Sequence, residues 1–218
     1  MINIKKFIKE NSDISYAEFS RKFITTKYQI AGVRTPTLRK FAKMIEPEYV
    51  EMEENPTHEE ILLYAFSAGM IKSEDKQLEY LENVLPYIDN WATSDGVSTS
   101  LKRLTGEKSY QFLTELLKDD REFYVRVAVV LLMRNFMKTE KLDEILTQIK
   151  DIRQNDYYVK MAVAWFYAEL CTHDFARAKK QIEESTDKFT RNKAISKAIE
   201  SFRVDKPKKE ELAKLRLP

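Results

Sequence analysis

Tryptophan occurs twice in the 218 residues, at Trp91 and Trp165, and the first stands four residues before a carboxylate, Asp95. A spacing of four puts two side chains on one face of a helix, so Trp91 and Asp95 are close enough to share one pocket. An indole face and a carboxylate both attract positive charge. The run Asn90-Trp91-Ala92-Thr93-Ser94-Asp95 reads as a loop-to-helix junction. Thr93 or Ser94 can cap that helix, which sets Asp95 in its first turn, where the helix dipole favours an acid. A capping role and a chemical role are therefore both open for Asp95. Trp165 lies in the apolar run 161–171, where a lone tryptophan serves either the core or a site.

Other chemistries have few residues to work with. Cys171 is the single cysteine, so neither an internal disulfide nor a thiolate zinc site can form. The two histidines, His58 and His173, are far apart in sequence, which argues against a histidine-rich metal site. No run of about 18 apolar residues exists and the first residues lack a signal-peptide stretch, so a soluble cytoplasmic protein without membrane contact is expected.

Charge is unevenly placed although the formal total is only +2. Residues 1–43 carry ten Lys/Arg against three Asp/Glu, residues 44–178 fifteen against twenty-five, and residues 179–218 twelve against seven. The net values are +7, −10 and +5. Basic ends around an acidic middle suit a polyanion gripped by the termini, and they equally suit ordinary solvated helix faces.

The elements that must position these residues are helices. Four glycines and six prolines are too few for a many-hairpinned all-β domain, collagen or a Gly-rich nucleotide fold. Thr57-His58-Glu59-Glu60 has the form of a capping box before Ile61, Leu62, Tyr64, Ala65 and Phe66. Pro36 fits the first turn of a helix reaching about Glu46. A short helix is expected in the first ten residues, and others near 15–27, 74–88, 94–104, 107–119, 121–137, 140–152, 156–172, 174–185, 190–203 and 207–216. No strand is predicted, and no linker interrupts the chain, so one domain spanning 1–218 is expected.

An internal match supports a repeat. The run Glu122-Phe123-Tyr124-Val125-Arg126-Val127-Ala128-Val129 aligns with Asp156-Tyr157-Tyr158-Val159-Lys160-Met161-Ala162-Val163 at a constant offset of 34. Helix pairs at this period predict an all-α solenoid, and the missing Trp-Leu-Gly-Tyr signature favours a HEAT-like stack over tetratricopeptides. Each repeated helix is apolar nearly all round, which predicts an inner helix covered on both sides. Arg126 and Lys160 hold equivalent positions on these helices. Either they face an anion together, or each snorkels to water.

Taken together, these residues resemble the AlkD-like DNA alkylation repair family, the HEAT-like-repeat DNA glycosylases. The resemblance runs from about Tyr16 to Leu215. It rests on Gly32-Val33-Arg34-Thr35-Pro36 with Leu38-Arg39, on Asn90-Trp91 with Asp95, on 122–126, on 157–165, and on Asn192-Lys193-Ala194-Ile195 with Lys197 and Glu200-Ser201-Phe202-Arg203-Val204. It implies an α-α superhelix whose concave side holds duplex DNA bearing alkylated bases. It also implies hydrolysis of the N-glycosidic bond of cationic N3- and N7-methylated purines, with no metal or cofactor and as a monomer. In the catalytic branch an aspartate and two tryptophans form the lesion cleft, and Asp95, Trp91 and Trp165 match those positions, with Arg126 as the cleft arginine. Arg126, Lys160, Tyr158, Arg34, Arg191, Lys193 and Arg203 are the expected DNA contacts. Phe23 stands where that branch has a tyrosine. The second reading is a non-catalytic HEAT-like module that binds DNA or a protein.

Overall fold

A computed structural model of the protein describes residues 3–45, 47, 52 and 54–218. Among the described residues there are thirteen α-helices and no strand. This is the all-α class that the scarce glycine and the helical patterning predict. The chain divides into two compact units, 1–110 and 111–218.

The first unit holds α1 (Ile4–Asn11), α2 (Ile14–Arg21), α3 (Thr35–Ala42), α4 (His58–Ala68), α5 (Glu74–Val84) and α6 (Trp91–Ser100). Helix α7 (Glu107–Leu116) begins near its end. At the centre is α4, which packs against α3, α5 and α6 and buries nearly every residue. Its expected capping box is present: the Thr57 hydroxyl accepts the Glu60 N–H, and the Glu60 carboxylate accepts the Thr57 N–H at 2.7 Å. Helix α6 approaches α4 closely enough at Gly96 that a side chain there would displace the tip of Leu62. A Cβ on Gly96 would stand 2.5 Å from Leu62 Cδ2.

The second unit holds α8 (Glu122–Asn135), α9 (Leu142–Lys150), α10 (Tyr157–Leu170), α11 (Phe175–Glu184), α12 (Lys188–Glu200) and α13 (Lys206–Ala213). Helix α10 packs between α8 and α12, as its all-round apolar pattern predicts. The side-chain bonds between successive helix pairs recur at one sequence interval. Arg177 to Asp143, Lys150 to Glu184 and Arg203 to Glu169 each span 34 residues, and Gln154 Nε2 reaches the Asp119 carbonyl across 35.

Helix limits differ from the sequence-based ones where a cap or a competing partner intervenes. The helix expected over 15–27 stops at Arg21; the Lys22, Phe23 and Ile24 N–H groups still bond back to Phe19 and Ser20, and beyond them the Asp89 carboxylate takes the Thr26 hydroxyl and the Lys27 N–H. Helix α3 starts at Thr35 and its helical residues end at Ala42; Glu46 lies outside the described residues. Helix α5 yields to a 3-10 turn at Leu85–Tyr87, where Pro86 cannot continue an α-helical ladder. Helix α12 begins at Lys188 rather than 190 because Asp187 caps it through the Thr190 N–H at 2.7 Å.

Candidate functional site

The helix carrying Trp91 and Asp95 begins three residues earlier than expected. Asn90 is its cap: the side-chain oxygen accepts the N–H groups of Ala92 at 2.9 Å and Thr93 at 3.1 Å. Thr93 and Ser94, the expected caps, lie inside the helix, and the Thr93 hydroxyl donates to the Asn90 carbonyl. Trp91 is therefore the first helical residue and Asp95 sits in the second turn. The reading of Asp95 as a first-turn acid on the helix dipole is thereby corrected. The two half-buried side chains share one face of α6, one turn apart.

Trp91 also has a mechanical task that its type does not announce. Its indole N–H donates to the Phe23 carbonyl at 2.9 Å. Its neighbours grip the same segment. The Asp89 carboxylate accepts the Thr26 hydroxyl at 2.7 Å and the Lys27 N–H at 2.8 Å, and the Asn90 amide braces Asp89 at 2.8 Å. Further along, the buried Glu59 carboxylate accepts the Ala31 and Gly32 N–H groups at 2.9 and 2.7 Å. Gly32 sits at φ +87°, and a Cβ there would fall 2.1 Å from the Asp13 carbonyl, so this glycine has no substitute. The anchored loop holds Phe23 58% exposed, with its ring 5.1 Å from that of Phe19. Arg34, at the start of α3, is exposed and pairs with Asp13 at 3.3 Å while lying 4.4 Å over the Tyr16 ring. The Tyr16 N–H, and after it Arg34, hold the Asp13 carboxyl below its usual range.

In the second unit Arg126 is buried, at 6% exposure, so it does not snorkel. It donates to the Tyr158 carbonyl at 2.9 Å, and its guanidinium stands 5.9 Å from the Tyr158 ring. Lys160, its counterpart 34 residues on, reaches Asp187 at 3.3 Å. Each cation thus braces the N-terminal end of the next helix, α10 for Arg126 and α12 for Lys160. This repeated device was invisible in the sequence, where only the matching charge showed.

Trp165 is half-buried on α10 and faces open space. It lines a cavity of about 640 Å³ with Arg134, Lys138, His173 and Arg203, and a smaller one of about 250 Å³ with Lys197 and Glu200. Glu169 lines both and takes Arg203 in a fork of two bonds at 2.8 and 2.5 Å. That fork holds the Glu169 carboxyl below its usual range. Sequence reasoning missed Glu169, for which a lone acid in an apolar helix was the available signal. Arg191 spends its donors on the carbonyls of Leu215 at 2.6 Å and Glu183 at 2.8 Å, tying the C-terminal segment to α12. Lys193 is exposed, 5.7 Å from the Phe189 ring. The structure therefore joins Trp91 with Asp95 on α6, Trp165 with Arg203 at one cavity, and Arg126 with Tyr158, within their respective units.

Among the described residues no group of three or more His, Cys, Asp or Glu side chains could hold a metal ion. No described helix is long and apolar enough to cross a membrane. No curated protein matches the chain. The model of one family does match, over residues 4–202; its description is DNA alkylation repair enzyme, and the chain belongs to that family.

Proposed function

We propose that this chain is a DNA glycosylase that hydrolyses the N-glycosidic bond of cationic N3- and N7-alkylated purines in duplex DNA. The observation that carries the reading is the pairing of Asp95 with Trp91 on one face of α6, clear of the helix cap. In a DNA alkylation repair chain, an acid that does not cap its helix is a candidate for chemistry. The recurring 34-residue separations support HEAT-like repeats as the scaffold of residues 111–218.

An alkylated purine carries positive charge and leaves without a strong general acid. As the bond to the sugar breaks, positive charge builds on the sugar. Asp95 offsets that charge and orients the water whose oxygen bonds to C1′, and accepts a proton from it. The indole faces of Trp91 and Trp165 attract the cationic base and sugar, each contributing about 0.5–2 kcal/mol. Arg34, Tyr158, Lys160, Lys193 and Arg203 contact phosphates, while Arg126 and Arg191 act by holding helices in place. The reaction requires neither metal nor cofactor, and a monomer suffices. Release of methylated base from alkylated duplex DNA by the purified protein tests the reading, and no release at any enzyme concentration refutes it.

A second reading is favoured by one observation. The Trp91 N–H is already spent on the Phe23 carbonyl, as a purely structural tryptophan would spend it. In that reading the chain is a non-catalytic module binding DNA or a protein. Asp95→Asn would then leave every measurable activity unchanged.

A further inference from the structure

Helices α8, α10 and α12 pack in that order, and each carries aromatic rings in its first turn. The rings touch in sequence. Phe123 stands 5.2 Å from Tyr158, Tyr158 stands 5.1 Å from Tyr157 at 84°, and Tyr157 stands 5.5 Å from Phe189. Burial does not account for this row, because Tyr157 keeps 55% of its surface in water. Lys160 and Lys193 lie 6.0 and 5.7 Å from the Phe189 ring.

The nearby charges are mostly spent. Glu122 accepts the Tyr158 N–H at 2.7 Å, and Asp187 caps α12 and holds Lys160. Asp119 holds Arg121 at 2.6 Å. Asp156 is exposed at the start of α10. Among the described residues, no carboxylate pairs with Lys193 or with Lys188, and both are exposed. Residues 179–218 carry a net +5. The row therefore offers the exposed Tyr157 ring and the half-buried edges of Phe123, Tyr158 and Phe189 beside unpaired cations, which is complementary to a strand of bases and phosphates.

We propose that this row is a docking track for an unpaired nucleic-acid strand, with bases stacking on Tyr157 and Phe189 and phosphates beside Lys188 and Lys193. A duplex turns its base faces inward and gives such rings nothing to stack on, whereas an unpaired strand presents them. The inference rests on the reading that the chain meets DNA, and not on hydrolysis.

The test is fluorescence anisotropy of the full chain with a labelled, undamaged thymidine oligonucleotide, and with a duplex of equal length. Tyr157→Ser should weaken single-strand binding about tenfold, the loss of one stacking contact, and change duplex binding less than about twofold. Tyr157→Phe keeps the ring and should bind like wild type. Tyr157→Ser binding the single strand like wild type overturns the proposal. So does an equal loss on duplex and single strand, or a wild-type chain with no single-strand affinity. Methylpurine release is measured on the same preparations. Tyr157-dependent strand binding by a chain that releases no base leaves the track standing and removes the hydrolase.

Discussion

Replacing Asp95 by Asn keeps the side-chain shape and deletes one negative charge. The structure separates the two roles that charge could have. The α6 cap belongs to Asn90, which satisfies two amides at 2.9 and 3.1 Å, while Asp95 sits a turn further in, beyond the strongest reach of the helix dipole. Asp95→Asn should therefore cost about 1 kcal/mol of stability or less, a shift of roughly 2–4 °C in a chain of this size. Asn90→Ala removes the cap acceptor and the buried bond to Asp89, and should cost about 1–3 kcal/mol. In catalysis the order reverses. Loss of one preorganised electrostatic group slows a reaction on the order of 10²–10³-fold, about 3–4 kcal/mol of barrier. Single-turnover release of methylpurine and thermal unfolding, measured on both variants, provide the comparison. An Asp95→Asn enzyme within about threefold of wild type, or one less stable than Asn90→Ala, would refute the assignment.

Trp91→Phe keeps an aromatic face and loses the bond to the Phe23 carbonyl. A loss of about 0.5–1.5 kcal/mol and faster amide exchange across residues 23–28 are expected, and unchanged exchange there would show that the bond anchors nothing. The Glu169 carboxyl is depressed by Arg203, so its contribution to stability is complete above the ordinary glutamate range near pH 4.3 and fades as pH falls through the lower folded value. Glu169→Gln should flatten the acid side of a melting-temperature profile, with a loss at pH 7 of at most about 1 kcal/mol because Arg203 is largely solvated; an unaltered acid slope would count against the fork. Burial pushes the Cys171 thiol up to about 12, so the native protein should resist thiol reagents at pH 8 on a timescale that labels the denatured chain fully. Rapid native labelling would contradict that burial.

The helical class and the approximate element positions were legible because they depend on local quantities: few glycines, apolar periodicity, and the Thr57–Glu60 box. The helix ends were less so, and α6 shows why. Asn90, Thr93 and Ser94 are all good caps by type, and the sequence offers no reason to prefer one. What decides is tertiary. Asn90 is pinned by Asp89, and Asp89 is pinned in turn by Thr26 and Lys27, over sixty residues away in sequence.

The 34-residue match shows both the reach and the limit of reading a period. It pairs Arg126 with Lys160, and each of the two reaches the start of the helix packed next to its own. It could not show what each head meets, because the partners lie on the next packed helix: the Tyr158 carbonyl is among those of Arg126, and the Asp187 carboxylate takes Lys160. Arg126 is buried at 6% exposure, whereas the Lys160 side chain keeps 21% of its surface in water. Truncating Arg126 would leave an unfilled cavity, whereas Lys160 is part-exposed and its loss would free Asp187 toward water. Two residues that the sequence presents as equals are thus unequal in energy. A sequence period thus identifies the position of a charge, and the helix packed next to it decides whether that charge braces the scaffold or remains available to a ligand.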